Sequence, residues 1–202
     1  RVTGNNATTG SGGGLFVATG GTATVQRSTF DANIAAGSGG GAFNGGMLNV
    51  VTSTISTNTA PSGAAIGQPS GGAPATTLTN ATVTRNSGST DGALHVVSGT
   101  MTIRNSIVSE QTGIVNCSGL APTSLGYNHA NDSSCGWSGT GDVQTGSALL
   151  GGLSPNGGYA PTHVPAVASP VVNQGDPTCT GPDQRGFNRP RGGACEKGAI
   201  ER

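Results

Sequence analysis

"RSTFDAN" (residues 27–33) sets one phenylalanine among short polar side chains and ends on asparagine, and "TSTISTN" (52–58) and "NATVTRN" (80–86) repeat the form. Aligned on the apolar residue, Phe30, Ile55, Val83 and Val108 are spaced by 25, 28 and 25 positions, and the same offsets bring Asn33, Asn58, Asn86 and Gln111 into one column. Val25, Val50, Leu78 and Ile103 then agree without further adjustment, as do Ser28, Ser53, Ala81 and Ser106. A second block, "GGGLFV", "GGGAFN", "SGAAIG" and "TDGALH", supplies Phe16, Phe43, Ile66 and Leu94 as another apolar column. A period near 25 in β-favouring runs broken by Gly, Ser and Asn indicates a solenoid. Stretches such as Thr24-Val25-Gln26 alternate polar and apolar, which turns one side chain inward and its neighbours outward. No apolar 3, 4, 7 spacing supports a helix.

The fold expected is therefore all-β, a parallel β-helix of about 25-residue coils over 1–112, followed by a loop-rich continuation and cap over 113–202. Phe30, Ile55, Val83 and Val108 form its core ladder, and Phe43 and Ile103 belong to the same core. Asn33, Asn58 and Asn86 form a turn ladder whose side chains bond along the stack and tolerate a left-handed corner. The small residues at 28, 53, 81 and 106 leave room for the chain to bend. The extra residues of the third repeat fall in "GQPSGGAP" (67–74), read as a surface loop.

Composition sets limits on function. With 37 glycines and 11 prolines among 202 residues, only the periodicity separates this chain from a disordered one. Nine basic and nine acidic residues form no basic stripe, so nucleic acid is not an expected partner. No apolar run approaches the ~20 residues of a membrane span. The sequence opens at Arg1 without a charged and then apolar leader, so any signal peptide lies outside it. Cys117, Cys135, Cys179 and Cys195 include no C-x-x-C pair and read as two disulfides. The simplest pairing is Cys117–Cys135 with Cys179–Cys195, one of three connectivities, and it implies an oxidising, extracellular compartment.

The acids are poorly placed for chemistry. Glycoside hydrolysis needs two carboxyl groups roughly 5–10 Å apart, yet Asp31 is followed in its column by Ser56, Thr84 and Ser109, and Asp91 stands among glycines. A lyase would set Arg or Lys beside an acid cluster. Arg27, Arg85 and Arg104 fall near a corner to which no acids gather, and His95, His129 and His163 are far apart in sequence. His163 in "YAPTHV" reads as a hydrogen-bonded structural histidine, and Asp183 with Arg185 as a charge pair fixing a loop. Thr22-Ala23-Thr24, Thr77-Leu78-Thr79 and Thr100-Met101-Thr102 suggest a threonine array for ice or crystalline glycan, but Met47-Leu48-Asn49 interrupts it, and β-propensity on an exposed face explains the triplets. Sequons occur at Asn6, Asn80, Asn116 and Asn131. No catalytic residue, cofactor or metal is expected.

"SLGYNHANDSSC" (124–135), "GGLSPNGGYAPTHVPAVASPVVNQGD" (151–176) and "DQRGFNRPRGGACEKGAIE" (183–201) resemble the carboxy-terminal region of bacterial β-helix surface proteins of the choice-of-anchor Q type, related to polymorphic outer-membrane-protein repeats. The resemblance implies a secreted or surface-attached right-handed β-helix with an adhesin-like role, and it carries over no active site. One departure follows: where the family usually has an acidic residue and then an aliphatic one before Gly, this chain has Glu196 and Lys197, which puts a charged side chain at a normally apolar position.

The expected function is a non-catalytic extracellular structural or adhesive module; the alternative is a carbohydrate-binding or polysaccharide-cleaving β-helix. Val2, Thr3 and Asn5 fall in the repeat columns one period before Phe30 and Asn33, so they read as an exposed strand edge. Low charge and the lack of edge lysines leave such an edge undefended. Expected partners are copies of the chain docked head-to-tail, as in a filament, or cell-surface and extracellular polymers.

Overall fold

Strands of two to five residues rich in Thr, Val and Ile are too short to stand alone, so each pairs in parallel with its copy one period on. The computed structural model describes residues 1–202 and shows an all-β parallel solenoid of about 5 coils of around 25 residues, with no helix. Each coil visits three sheets. The first contains Leu15–Val17, Ala42–Asn44, Ile66–Gln68, Leu94–Val96 and Cys117–Gly119. The second contains Thr22–Gln26, Met47–Val51, Ala75–Thr79, Thr100–Arg104 and Thr123–Ser124. The third runs through Val2–Thr3, Thr29–Asp31, Thr54–Ser56, Thr82–Thr84, Ile107–Ser109, His129–Ala130 and Val143–Gln144.

In the third sheet Phe30, Ile55, Val83 and Val108 pair in register and are buried, and Ala130 continues their column. Val25, Val50, Leu78 and Ile103 do the same in the second. The first sheet departs from expectation by one residue. Leu15, Ala42, Ile66, Leu94 and Cys117 form the inward column, while Phe16 and Phe43 pair with Gly67 and His95 on the outside. Phe43 is accordingly half-buried and stacks on Phe16, their ring centroids 5.3 Å apart, with Phe16 57% exposed. The register is set by glycines with positive φ, Gly12 (76°), Gly39 (74°) and Gly63 (55°), each three residues before the inward side chain. Because strand side chains alternate, the one-residue shift moves both phenylalanines from core to surface.

The asparagine corner is a continuous hydrogen-bonded ladder. Asn5 Nδ2 donates to Asn33 Oδ1 at 2.8 Å, Asn33 to Asn58 at 2.9 Å, Asn58 to Asn86 at 3.0 Å, and Asn86 to Gln111 Oε1 at 3.2 Å. The left-handed backbone expected at these asparagines lies one residue earlier, at Ala32, Thr57, Arg85 and Glu110, with φ of 54°, 56°, 55° and 60°. Reversing the chain at that residue leaves the following amide pointing into the stack. The small-residue column also does more than leave space: Ser53 and Ser106 accept the backbone N–H of Ser28 and Ala81, at 3.1 and 3.0 Å.

Coil structure continues past residue 112, through Val143–Gln144, and Cys135 and Trp137 close the core beneath Ala130. Residues 145–202 lie along the side of the stack rather than over its end. They form a strap across the outer face of the third sheet: the carbonyl of Pro161 accepts from Thr29 Oγ1 (2.6 Å), Gln184 exchanges bonds with Thr54 and Thr29, and Ala199 N–H donates to Thr82 Oγ1. Ile107, from that outer face, packs with Ala148, Leu150 and Val171 of the strap.

Both disulfides are present, Cys117–Cys135 and Cys179–Cys195, and no cysteine is free. Closing loops of this size contributes about 3 kcal/mol each in the chain-entropy model. Thiol titration of the denatured, unreduced protein is expected to find no reactive cysteine, and reduction is expected to loosen the strap before the coils.

Candidate functional site: one covered face and one open face

The strap decides which outward residues can meet a partner. Thr29, Asp31, Thr54, Ser56, Thr82, Thr84, Ser109 and His129 all point outward from the third sheet, yet all are buried. Such groups are costly to desolvate unless hydrogen-bonded. His163 supplies one pin: Nδ1–H donates to the Gly151 carbonyl at 2.7 Å, so Nε2 accepts from Ser56 Oγ at 2.8 Å. A serine and an imidazole at this distance resemble a nucleophile with its base. Both are buried, however, and the other imidazole nitrogen meets a carbonyl, so in this structure the pair pins the strap to the third sheet.

The charged residues of the strap are mostly turned inward. Asp183 receives Arg185 at 2.9 Å, and Arg189 is paired with Glu201 and bonded to the Gly198 carbonyl at 2.7 Å. Burial, with Glu201 alongside, pushes Glu196 up to about 7. Lys197, the only lysine, is 2% exposed and donates from Nζ to the carbonyls of Asn128 (3.2 Å) and Gly141 (2.5 Å); burial pulls it down to about 8. Lys197, the charge that breaks the apolar pattern, thus ties the strap to the last coil, whereas the Glu196 side chain accepts the backbone N–H of Arg202 within the strap.

Acidification should release these pins. Burial holds His163 and His129 below the ordinary histidine pKa of 6.5. The unfolded chain takes up these two protons near 6.5 and the folded chain resists, so stability falls as pH drops through and below that value. Glu196, raised in the folded state, has the opposite sign and gains as pH falls below about 7. The imidazole and carboxyl contributions oppose each other, so the histidine part is isolated by difference. Urea midpoints at about pH 7.5 and 5.5 test it: acidification is expected to be less favourable to the parent chain than to His163→Gln, and an equal change in the two contradicts it.

The remaining sequence candidates do not converge. Asp31 is bonded to Arg1 at 2.7 Å and to Thr3 at 2.9 Å. Asp91 lies 3.7 Å from His95 Nδ1, which also meets Ser118 Oγ at 2.7 Å, on the first sheet. Arg85 stands at the asparagine corner beside Glu110, whereas Arg27 and Arg104 border the opposite corner, between the second and third sheets, so the three arginines form no group. No three potential metal-ligating side chains gather anywhere. Of the sequons, Asn116 is buried and bonded to Asn131, so it is closed to modification in the folded chain.

The second sheet is the open face. Its outward side chains form axial columns about 4.8 Å apart along the stack. One runs Thr24, Asn49, Thr77, Thr102, Thr123, and beside it stand Thr22, Met47, Ala75 and Thr100. The threonine triplets are not in register as triplets, since 77–79 lies two positions further along than 22–24 and 100–102. They nevertheless share the Thr24 column, in which Asn49 takes the second place.

The molecule so defined is a disulfide-containing parallel β-solenoid whose third sheet is strapped and whose second sheet presents an open polar face. No helix is long and apolar enough to cross a membrane. Comparison with protein families, with curated proteins and with solved structures found no match.

Proposed function

We propose that this chain is a non-catalytic extracellular structural or adhesive module that meets its partner through the open second sheet. The observation that carries this reading is the in-register polar column Thr24, Asn49, Thr77, Thr102 and Thr123 on an uncovered face, beside a third sheet whose equivalent columns are consumed by the strap. Two disulfides suit an oxidising exterior. The resemblance of residues 113–201 to choice-of-anchor Q type surface proteins supports the same placement. A rigid ladder of hydroxyls and amides fits an extended polymer that repeats along the coil axis, because its groups are already ordered before contact.

Co-sedimentation of the purified chain with insoluble extracellular polymers tests the reading, using Thr77→Ala and Thr102→Ala on the open face. Loss of one or two hydrogen bonds of about 1 kcal/mol each weakens binding by about tenfold. Cleavage of a polysaccharide by the chain, or binding indifferent to both substitutions, overturns it.

A further inference from the structure

The corner where the open second sheet meets the strap carries two polar depressions on one axial line. The first, about 260 Å³, is walled by Gln26, Arg27 and Tyr159 with Arg185. The second, about 340 Å³, is walled by Thr79, Asn80 and Arg104 with Asp176 and Thr178. Gln26, Val51, Thr79 and Arg104 occupy one register column, so the two depressions are three coils apart at most, about 14 Å. That is the length of a short oligosaccharide lying along the axis.

Their chemistry is one-sided. Arg27 takes part in none of the chain's ion pairs and its guanidinium is exposed. Asp176 is the one carboxylate in either wall, and it is consumed: it accepts Arg104 Nε, and both the backbone N–H and the hydroxyl of Thr178 at 2.9 and 2.8 Å. Arg185 is neutralised from inside by Asp183. With Arg104 and Arg185 each paired to a carboxylate, the one uncompensated charge facing solvent is that of Arg27, among amide and hydroxyl groups. Tyr159, fully exposed, is the aromatic residue with the least packing in a chain that has only seven. A free aromatic face beside amides and a guanidinium suits a pyranose ring, whose C–H face stacks while its hydroxyls and a carboxylate take the polar groups.

We propose that this seam binds a linear polysaccharide bearing carboxylates, with Tyr159 stacking on one sugar, Arg27 pairing with a carboxylate, and Asn80 and Arg104 engaging a unit further along. The proposal rests on the adhesive reading and supplies its ligand class.

Affinity electrophoresis and calorimetry with polygalacturonate, alginate and neutral dextran test it. The two acidic polymers are expected to bind, more weakly as ionic strength rises, and dextran is not. Arg27→Gln and Tyr159→Ala are each expected to weaken polygalacturonate binding by about tenfold, the scale of one charged or stacking contact. Both side chains are exposed, so the unfolding midpoint is expected to stay put. Equal binding of dextran, or acidic-polymer binding unaffected by either substitution, overturns the seam. Loss with Thr77→Ala alone, with the seam variants unaffected, removes the seam and leaves the adhesive face standing; failure to bind any extracellular polymer removes both.

Discussion

Truncating Phe30 to alanine is expected to lower the free energy of unfolding by about 3–5 kcal/mol, through lost burial and the cavity left behind. Phe30 is buried in the core at the second coil, where it lines a small internal gap with Val25, Ala42, Leu48, Val50 and Ile55. Parallel coils cannot collapse independently into such a gap, because each backbone is hydrogen-bonded to the coil above and below. The companion variant Phe43→Ala discriminates. With its ring outside, against Phe16, it is expected to lose only the stacking contribution of about 0.5–1.5 kcal/mol. Denaturant unfolding of the two variants gives the comparison directly. Equal losses would mean that Phe43 points inward and that the first-sheet register is wrong.

Replacing Arg189 by methionine is expected to cost about 3–5 kcal/mol, because it leaves the Glu201 carboxylate buried without its counter-charge. Both side chains of the pair are wholly inaccessible, and Arg189 also holds the Gly198 carbonyl at 2.7 Å. The damage should be local. Residues 145–202 become sensitive to limited proteolysis while the β signal of the coils persists, since the coil core makes no use of this pair. The double variant Arg189→Met with Glu201→Gln removes the stranded charge and is expected to recover part of the loss. A double variant no better than the single one would show that the pair contributes through packing alone.

Two features of the strap explain why its role was not visible in the repeat. Its contacts with the coils join residues more than a hundred positions apart, as between Thr29 and Gln184 or Thr82 and Ala199. Many of them also use backbone groups, which any residue carries. Asp31, Ser56, Thr84 and Ser109 could be read as an outward polar column, but an outward column looks the same in sequence whether water or a strap lies against it. These four do point outward, as the alternation requires, but lie under the strap. Lys197 did leave a trace, as charge in an apolar pattern, and its burial against the last coil accounts for it.

Local chemistry repeated at a fixed interval was enough to determine the solenoid, its period, the columns of Phe30 and Val25, and the asparagine ladder. Each of these depends on a residue meeting its own copy one coil away, so the interval alone specifies the partner. Disulfides were legible in the lack of a C-x-x-C pair, and the structure holds the simplest of the three possible connectivities. Only the tertiary structure decided which side of the first sheet Phe43 occupies, because a one-residue slip preserves the pattern and reverses every side chain. It alone decided which of the polar faces is open, because that depends on where a non-repeating segment of 58 residues, 145–202, comes to rest. Burial of polar columns is a property of two surfaces in contact, and a repeat describes only one of them.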